Sequence, residues 1–326
     1  MNIFNKIILI LLSFYMPWAS AQDVHFSQFY SNSLLLNPAQ AGQTSCNIKA
    51  GINYKSQWKS IDASYETQSA FIEKKIAFKN LKRDWIGIGT FLYNDNAGMG
   101  VLKTTQAMAV FAYHKALDKN SKFYMSYGAA FGFGNKSINY SKLIFDNQWT
   151  NFGFNREVSN EETLINRSFI YVDLNVGISV TYKLNDNIKM LFGTGRNHLN
   201  RPKNSFNVEL GTCRDVSKSY HSEIDIKIGK TIYLNPKLYY TSTTKSNEFI
   251  YGINTIFISG DYKIYAGVWN RINRDIIGLV GFEFSKTVIL ISYDINNSEL
   301  SVATKSRGGI EISLVKIIEY KQRVVF

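Results

Sequence analysis

Apolar and polar residues alternate with a period of two over much of the chain. Residues 123–134, FYMSYGAAFGFG, place Phe123, Met125, Tyr127, Ala129, Phe131 and Phe133 on one face. Tyr124, Ser126, Gly128, Ala130, Gly132 and Gly134 fall on the other. Residues 172–182, VDLNVGISVTY, alternate in the same way, as do Ile224, Ile226 and Ile228 against Asp225, Lys227 and Gly229. Ile310, Ile312 and Leu314 alternate with Glu311 and Ser313. This period predicts strands with one apolar and one polar or small face. Strands are expected at 46–57, 64–78, 84–94, 102–114, 121–134, 169–183, 187–196, 219–230, 231–242, 248–258, 261–270, 276–284, 286–294 and 308–318, about fourteen. Turn signals such as Asn94-Asp95-Asn96, Asp118-Lys119-Asn120 and Ser259-Gly260-Asp261 separate them. The long connection is a loop at about 135–168.

Asp225 and Glu311 decide between the all-β architectures. A sandwich core would bury these charges at a cost of several kcal/mol. In a transmembrane antiparallel outer-membrane β-barrel, the apolar face meets lipid and the polar face a wet lumen. The second fold is therefore expected for residues 46–326. Residues 1–21, MNIFNKIILILLSFYMPWASA, read as a signal peptide: Lys6, an apolar run from Ile7 to Tyr15, and Ala19-Ser20-Ala21 as cleavage site. Export to the cell outer membrane follows. An uncleaved anchor is the alternative.

Composition agrees with strands. Aromatics are 14% of the chain, with 20 Tyr and 22 Phe, and there are only four Pro. Mean hydropathy is −0.14, as expected when lumen residues offset a lipid face. A net charge of +12 on an exported chain points to anionic lipid or polysaccharide rather than nucleic acid. Two cysteines, Cys46 and Cys213, exclude a disulfide-rich scaffold and leave one bridge or two inert thiols. Lys74, Lys75, Lys79, Lys82 and Arg83, and later Arg196, Arg201, Lys203, Arg271 and Arg274, sit near hairpin ends. They read as headgroup-facing or turn residues, or as a docking rim for an acidic partner.

No catalytic constellation is legible. His25, His114, His198 and His221 lack metal-ligand spacing, and no nucleophile elbow or carboxylate pair stands out. No enzyme activity, cofactor or metal is expected.

The segment 22–45 holds SNSLLLNPAQAG. Asn37-Pro38 pushes Asn37 out of the helical region, and Ala39, Ala41 and Gly42 allow close backbone approach. It is expected to be a periplasmic strap or plug, with Leu34 to Leu36 against the inner or lower wall, or an ordinary turn into the first strand.

Several motifs together resemble the PorP/SprF family of the type IX secretion system of Bacteroidota. They are Gln22 to Tyr30 with Gln28, then Asn32, and Leu36-Asn37-Pro38-Ala39-Gln40-Ala41-Gly42. Tyr54-Lys55-Ser56-Gln57-Trp58, His198-Leu199-Asn200-Arg201-Pro202 and His221-Ser222-Glu223 follow in order. Ser292-Tyr293-Asp294, Ser298, Leu300, Gly309 and Glu311-Ile312-Ser313-Leu314 close the chain. Departures are Lys55 for the family's usual Arg, Gly309 before Ile310 where many members carry Ser-His, and residues 316–326 beyond the usual end. The resemblance implies a non-enzymatic outer-membrane barrel that helps to secrete or retain a large adhesin-like cargo, such as a gliding adhesin, through the cargo's C-terminal domain. It also implies a periplasmic peptidoglycan-binding partner. An outer-membrane channel for small molecules, with Tyr124, Asp173 and Asn175 lining a pore, is the alternative. A lipid-acting barrel enzyme is weaker still.

Overall fold

The computed structural model describes residues 24–319, apart from 45–46, 60–63, 79–82, 99–100, 140–142, 144, 151–152, 156, 159–166, 207–211, 245 and 300. The signal-peptide reading, Cys46, Lys79, Lys82 and Leu300 lie outside the described residues. Fourteen antiparallel strands close into a barrel. In chain order they are β1 Ile48–Gln57, β2 Tyr65–Ala77, β3 Trp85–Ala97, β4 Leu102–Ala116, β5 Phe123–Ile138, β6 Ser168–Lys183 and β7 Ile188–Asn197. Then follow β8 Ser217–Ile228, β9 Ile232–Ser242, β10 Asn247–Ser259, β11 Tyr262–Arg271, β12 Asp275–Phe284, β13 Thr287–Asn296 and β14 Arg307–Ile318. β1 pairs with β14 from Ile48↔Ile318 to Gln57↔Gly309, so no strand edge is left open.

The two ends differ. At one end, turns are tight: Ser285 and Lys286 have φ of 48° and 60°, the left-handed pair that a two-residue hairpin needs. At the other end the connections are longer. Residues 139–167 carry a 3-10 turn at Asp146–Gln148 and a short hairpin pairing Trp149 with Phe154. Outer-membrane barrels keep short turns in the periplasm and long loops outside the cell, so the ends are assigned accordingly.

The period-two pattern sorts side chains as lipid and lumen require. Ile72, Leu92, Phe111, Phe131, Phe133, Val268 and Val280 point outward and are exposed to the surroundings. Asn53, Lys55, Ser69, Glu73, Asp173 and Glu311 point inward and are buried.

The inside departs from the expected wet lumen. Residues 24–43 run through it from the extracellular end, at Val24, to the periplasmic end, at Gly42, and the chain then turns into β1. Two apolar clusters form around this inner segment. A one-turn helix, α1 (Ser33–Leu36), sends Leu34 to Phe71, Phe91, Met108, Val110 and Ala130 on one wall. Leu36 and Phe29 pack with Ile250, Trp269, Ile277, Leu279 and Leu290 on the other. Burial of each such side chain contributes about 1.5–3 kcal/mol. Inward positions at mid-height thus form a core, because a covalently attached segment replaces the water that alternation alone predicts.

Candidate functional site

The inner segment meets the wall in three tiers. In the upper tier, Ser27 and Gln28 lie against β14, β13, β11 and β1. The Glu311 carboxylate accepts the successive backbone N–H groups of Ser27 at 2.6 Å and Gln28 at 3.0 Å. The Gln28 amide donates to Ser292 Oγ at 3.0 Å and Glu311 O at 3.2 Å, and accepts from Ser313 Oγ at 2.7 Å. Ser27 Oγ donates to Asp294 at 2.6 Å and accepts from Lys55 at 2.9 Å and Arg271 at 3.0 Å. Arg271 pairs with Asp275 at 2.6 Å, Glu248 at 3.4 Å and Asp294 at 3.5 Å. Lys55 pairs with Asp294 at 3.3 Å, and His25 and Arg274 each reach Glu248 at 3.3 Å. Apart from His25 and Arg274, which are half-buried, these charges are buried, so each depends on its partners for the hydration it has lost. A register shift between Asp294 and Ile295 marks a bulge there, a device that re-aims a side chain.

In the middle tier, Asn53 donates to Ser31 Oγ, and Ser33 Oγ donates to Glu73 at 3.1 Å. Glu73 also accepts the Gly42 N–H at 2.8 Å and pairs with Lys49 at 3.5 Å.

The lower tier is a floor of glycines. A Cβ on Gly87 would sit 1.7 Å from Ala41 O, on Gly128 2.2 Å from Ala39 N, and on Gly177 1.9 Å from Asn37 Oδ1. These glycines lie on β3, β5 and β6 and let the backbone of 37–42 rest directly on the sheet. Gly42 itself has a φ of 69° and turns the chain past Gly87. Asn37 is fully buried. Its Oδ1 accepts the Ala39 N–H at 2.9 Å, capping the Pro38–Gln40 turn. Its amide nitrogen lies 3.1 Å from Ile178 O, 3.2 Å from Thr194 O and 3.0 Å from His221 Nε2. His114 Nε2 lies 2.7 Å from Ala41 O, and a carbonyl only accepts, so this nitrogen carries the proton. Nδ1 then accepts from Ser126 Oγ at 2.7 Å.

Asn37→Ala is expected to lower barrel stability by about 1–3 kcal/mol, because Ile178 O and Thr194 O lose a buried donor. The urea midpoint of the heat-modifiable folded form measures it. An unchanged midpoint would show that the turn, not the side chain, holds the segment.

The structure therefore gathers Gln28, Asp294 and Glu311 in the upper tier and Asn37, Pro38, Ala39 and Gly42 on the floor. Gln57 and Trp58 line an extracellular vestibule of about 920 Å³, beside Val24 and His25. Trp58 stands edge-on to Tyr65 with centroids 5.5 Å apart. His198, at φ 58°, holds Asp173 at 2.8 Å and takes the Asn175 side-chain oxygen on its backbone N–H at 3.0 Å. Gln106 also donates to Asp173 at 2.5 Å. Leu199 is exposed and Pro202 buried at the same rim. Tyr293 stands apart, outward and 46% exposed. Asp173 is fully buried within this network rather than lining a pore.

Sequence reasoning placed Arg271 among solvated hairpin ends. It does end β11, but its inward parity buries it under four acidic or hydroxyl partners. Glu73, Glu248 and Asp275 escape the sequence reading, and His114 enters it only as a discounted metal ligand; inward parity within their strands is the signal that finds all four. Among the described residues, no three His, Cys, Asp or Glu side chains converge as metal ligands.

Among solved structures, the Ralstonia pickettii toluene transporter TbuX superposes with a TM-score of 0.52 at 9% identity, covering 88% of this chain and 93% of that one. The Pseudomonas putida toluene transporter TodX gives 0.52 at 11% identity, covering 91% and 94%. The CymD monoaromatic hydrocarbon channel gives 0.50 at 11%, covering 90% and 94%. At such identity these likenesses establish the fold: an outer-membrane β-barrel. No curated protein sequence matches the chain. The family model described as type IX secretion system membrane protein PorP/SprF matches residues 19–315, which takes in all three tiers of the inner segment and its wall. The chain belongs to the PorP/SprF family and is an outer-membrane component of type IX secretion.

Proposed function

We propose that this protein is a plugged, non-enzymatic barrel that helps to secrete a large cargo protein or retain it at the cell surface. The cargo is adhesin-like and is engaged through its C-terminal domain. A periplasmic peptidoglycan-binding protein is the second partner, and residues 1–21 direct export. The observation that carries this reading is the inner segment. Leu36 to Gly42, the stretch that resembles the family's motif, packs against the wall and helps to hold residues 24–43 inside the barrel, which suits a docking platform better than a conduit. The vestibule above it, with Gln57 and Trp58 in its wall, is open to the extracellular side and offers a seat for a protein domain or its loop.

Tagged protein is purified from detergent-solubilised outer membranes, and co-purifying proteins are identified by mass spectrometry. The expected result is a large surface protein with a type IX C-terminal domain, or a peptidoglycan-binding protein. A barrel that arrives alone and conducts ions in planar bilayers would instead establish the small-molecule channel.

A further inference from the structure

The outward wall carries an arrangement that the plug and its partners do not explain. Arg196 on β7 and Lys218 on β8 stand directly opposite each other in the ladder. Both point outward, since Gly195, Ser217 and Ser219 beside them turn inward and are buried. Like charges directly opposite on one face of a sheet repel and destabilise. The positions flanking the pair on that face are Val176, Thr194, Tyr220 and Ser242, and none is acidic. By contrast, Lys59 near the same rim pairs with Glu66 at 3.3 Å.

The depth of the pair follows from its aromatic neighbours. Tyr220 stands opposite Tyr240, and Tyr240 opposite Phe249, with ring centroids 6.3 Å apart in both cases. Phe249 continues to Tyr251 at 5.7 Å, whose hydroxyl accepts from Asn270 at 3.3 Å. This aromatic row crosses three strands on the outer face, β8 to β10, and forms an aromatic girdle, which marks the membrane–water boundary. Lys218 lies two residues beyond Tyr220 toward the long loops, about 7 Å further out. That is the level of lipid headgroups in the outer leaflet. Arg196 leans over the girdle: its guanidinium is 5.5 Å from the Tyr220 ring centroid and donates to the Tyr220 hydroxyl at 3.3 Å.

We propose that Arg196 and Lys218, with the Tyr220 hydroxyl as a further donor, hold the phosphate of an anionic outer-leaflet glycolipid. Cross-strand partners about 5 Å apart place both cations within reach of one phosphate, with which they form charge-assisted hydrogen bonds. The bound anion offsets the repulsion between them, and the acyl chains lie along the apolar face below, where Phe192 and Ile253 are exposed. The site fixes the barrel's immediate lipid neighbour on the β7–β8 side and is independent of what the vestibule receives.

The test uses the full-length barrel in detergent, wild type and R196Q/K218Q, both verified as folded by heat-modifiable mobility. Native mass spectrometry follows adducts with monophosphoryl lipid A and with phosphatidylcholine. The wild type is expected to keep the lipid A adduct, with about a tenfold loss in the double variant. Phosphatidylcholine adducts are expected to be weak and equal in both. Equal lipid A adducts in the two proteins would overturn the proposal. So would displacement of the adduct by millimolar inorganic phosphate, which would reduce the site to a simple anion site. As a second measurement, K218Q alone is expected to raise the urea midpoint in lipid-free detergent, yet to gain less than the wild type when lipid A is added. A rise of equal size for both proteins on adding lipid A would also overturn it.

Discussion

Arg271→Met is expected to be the most damaging single substitution in the lumen, costing about 3–5 kcal/mol of barrel stability. The guanidinium is buried and faces Asp275 at 2.6 Å, with Glu248 and Asp294 within 3.5 Å. Its removal leaves these carboxylates buried without the cation that offsets their desolvation. Asp294 keeps Lys55, and Glu248 keeps His25 and Arg274. Asp275 has no other ion-pair partner among the described residues. The cost should therefore fall when Asp275→Asn is added, so the double variant is expected to be more stable than Arg271→Met alone. Urea unfolding in lipid vesicles, read by heat-modifiable mobility, measures all three proteins. A double variant no better than the single would place the damage in lost packing rather than in the uncompensated charge. The Arg271 guanidinium also donates to Ser27 Oγ, so the upper tier should loosen with it.

The second large effect is expected at the floor. Gly87→Val places a side chain where Ala41 O now lies, 1.7 Å from the new Cβ. Neither group can yield by rotating a side chain, because both are backbone. The stretch 38–42 must lift, and overpacking of this kind costs about 1–3 kcal/mol while the closed ladder stays intact. The expected result is an open barrel that still folds. A single thiol at position 39, introduced as Ala39→Cys with Cys46 and Cys213 replaced by Ser, reports the change. It should resist a water-soluble maleimide behind Gly87 and react behind Gly87→Val, and ion conductance in planar bilayers should appear together with the labelling. Gly278→Val serves as control, because nothing lies within 4 Å of a Cβ there. Silent conductance and an unreactive thiol at position 39 in Gly87→Val would mean that the segment is held by its upper tiers alone.

Much of the fold is legible in the sequence because a strand's period is local. Each alternation from β1 to β14 is visible within its own ten to sixteen residues. The boundaries drift mainly where the chain stays extended beyond its last apolar residue, as β5 does to Ile138. The contents of the lumen are not local. Whether inward Glu311 meets water or the backbone of Ser27 depends on a contact 284 residues away in sequence, which no periodicity encodes. The same limit explains Arg271, whose place at a hairpin end reads as solvated until the inner segment is set beneath it. The strained pieces are half legible. Asn37-Pro38 announces a bend, and Gly87, Gly128 and Gly177 announce a thin wall, but only the fold lays one upon the other. Tyr293 shows the converse: a residue that the sequence reading singles out can face lipid while its neighbour Asp294 makes the contacts inside.

Ser27 and Gln28 touch the first and last strands at once, through Lys55 on β1 and through Glu311 and Ser313 on β14. These two strands form the seam at which the ring closes, with Lys55 and Glu311 directly opposite each other across it. A segment seated there is bonded to both sides of the closure, and its two successive backbone N–H groups favour the register that sets Glu311 opposite Lys55. The inner segment thus serves as a clasp on the seam, and filling the ring strengthens its seal.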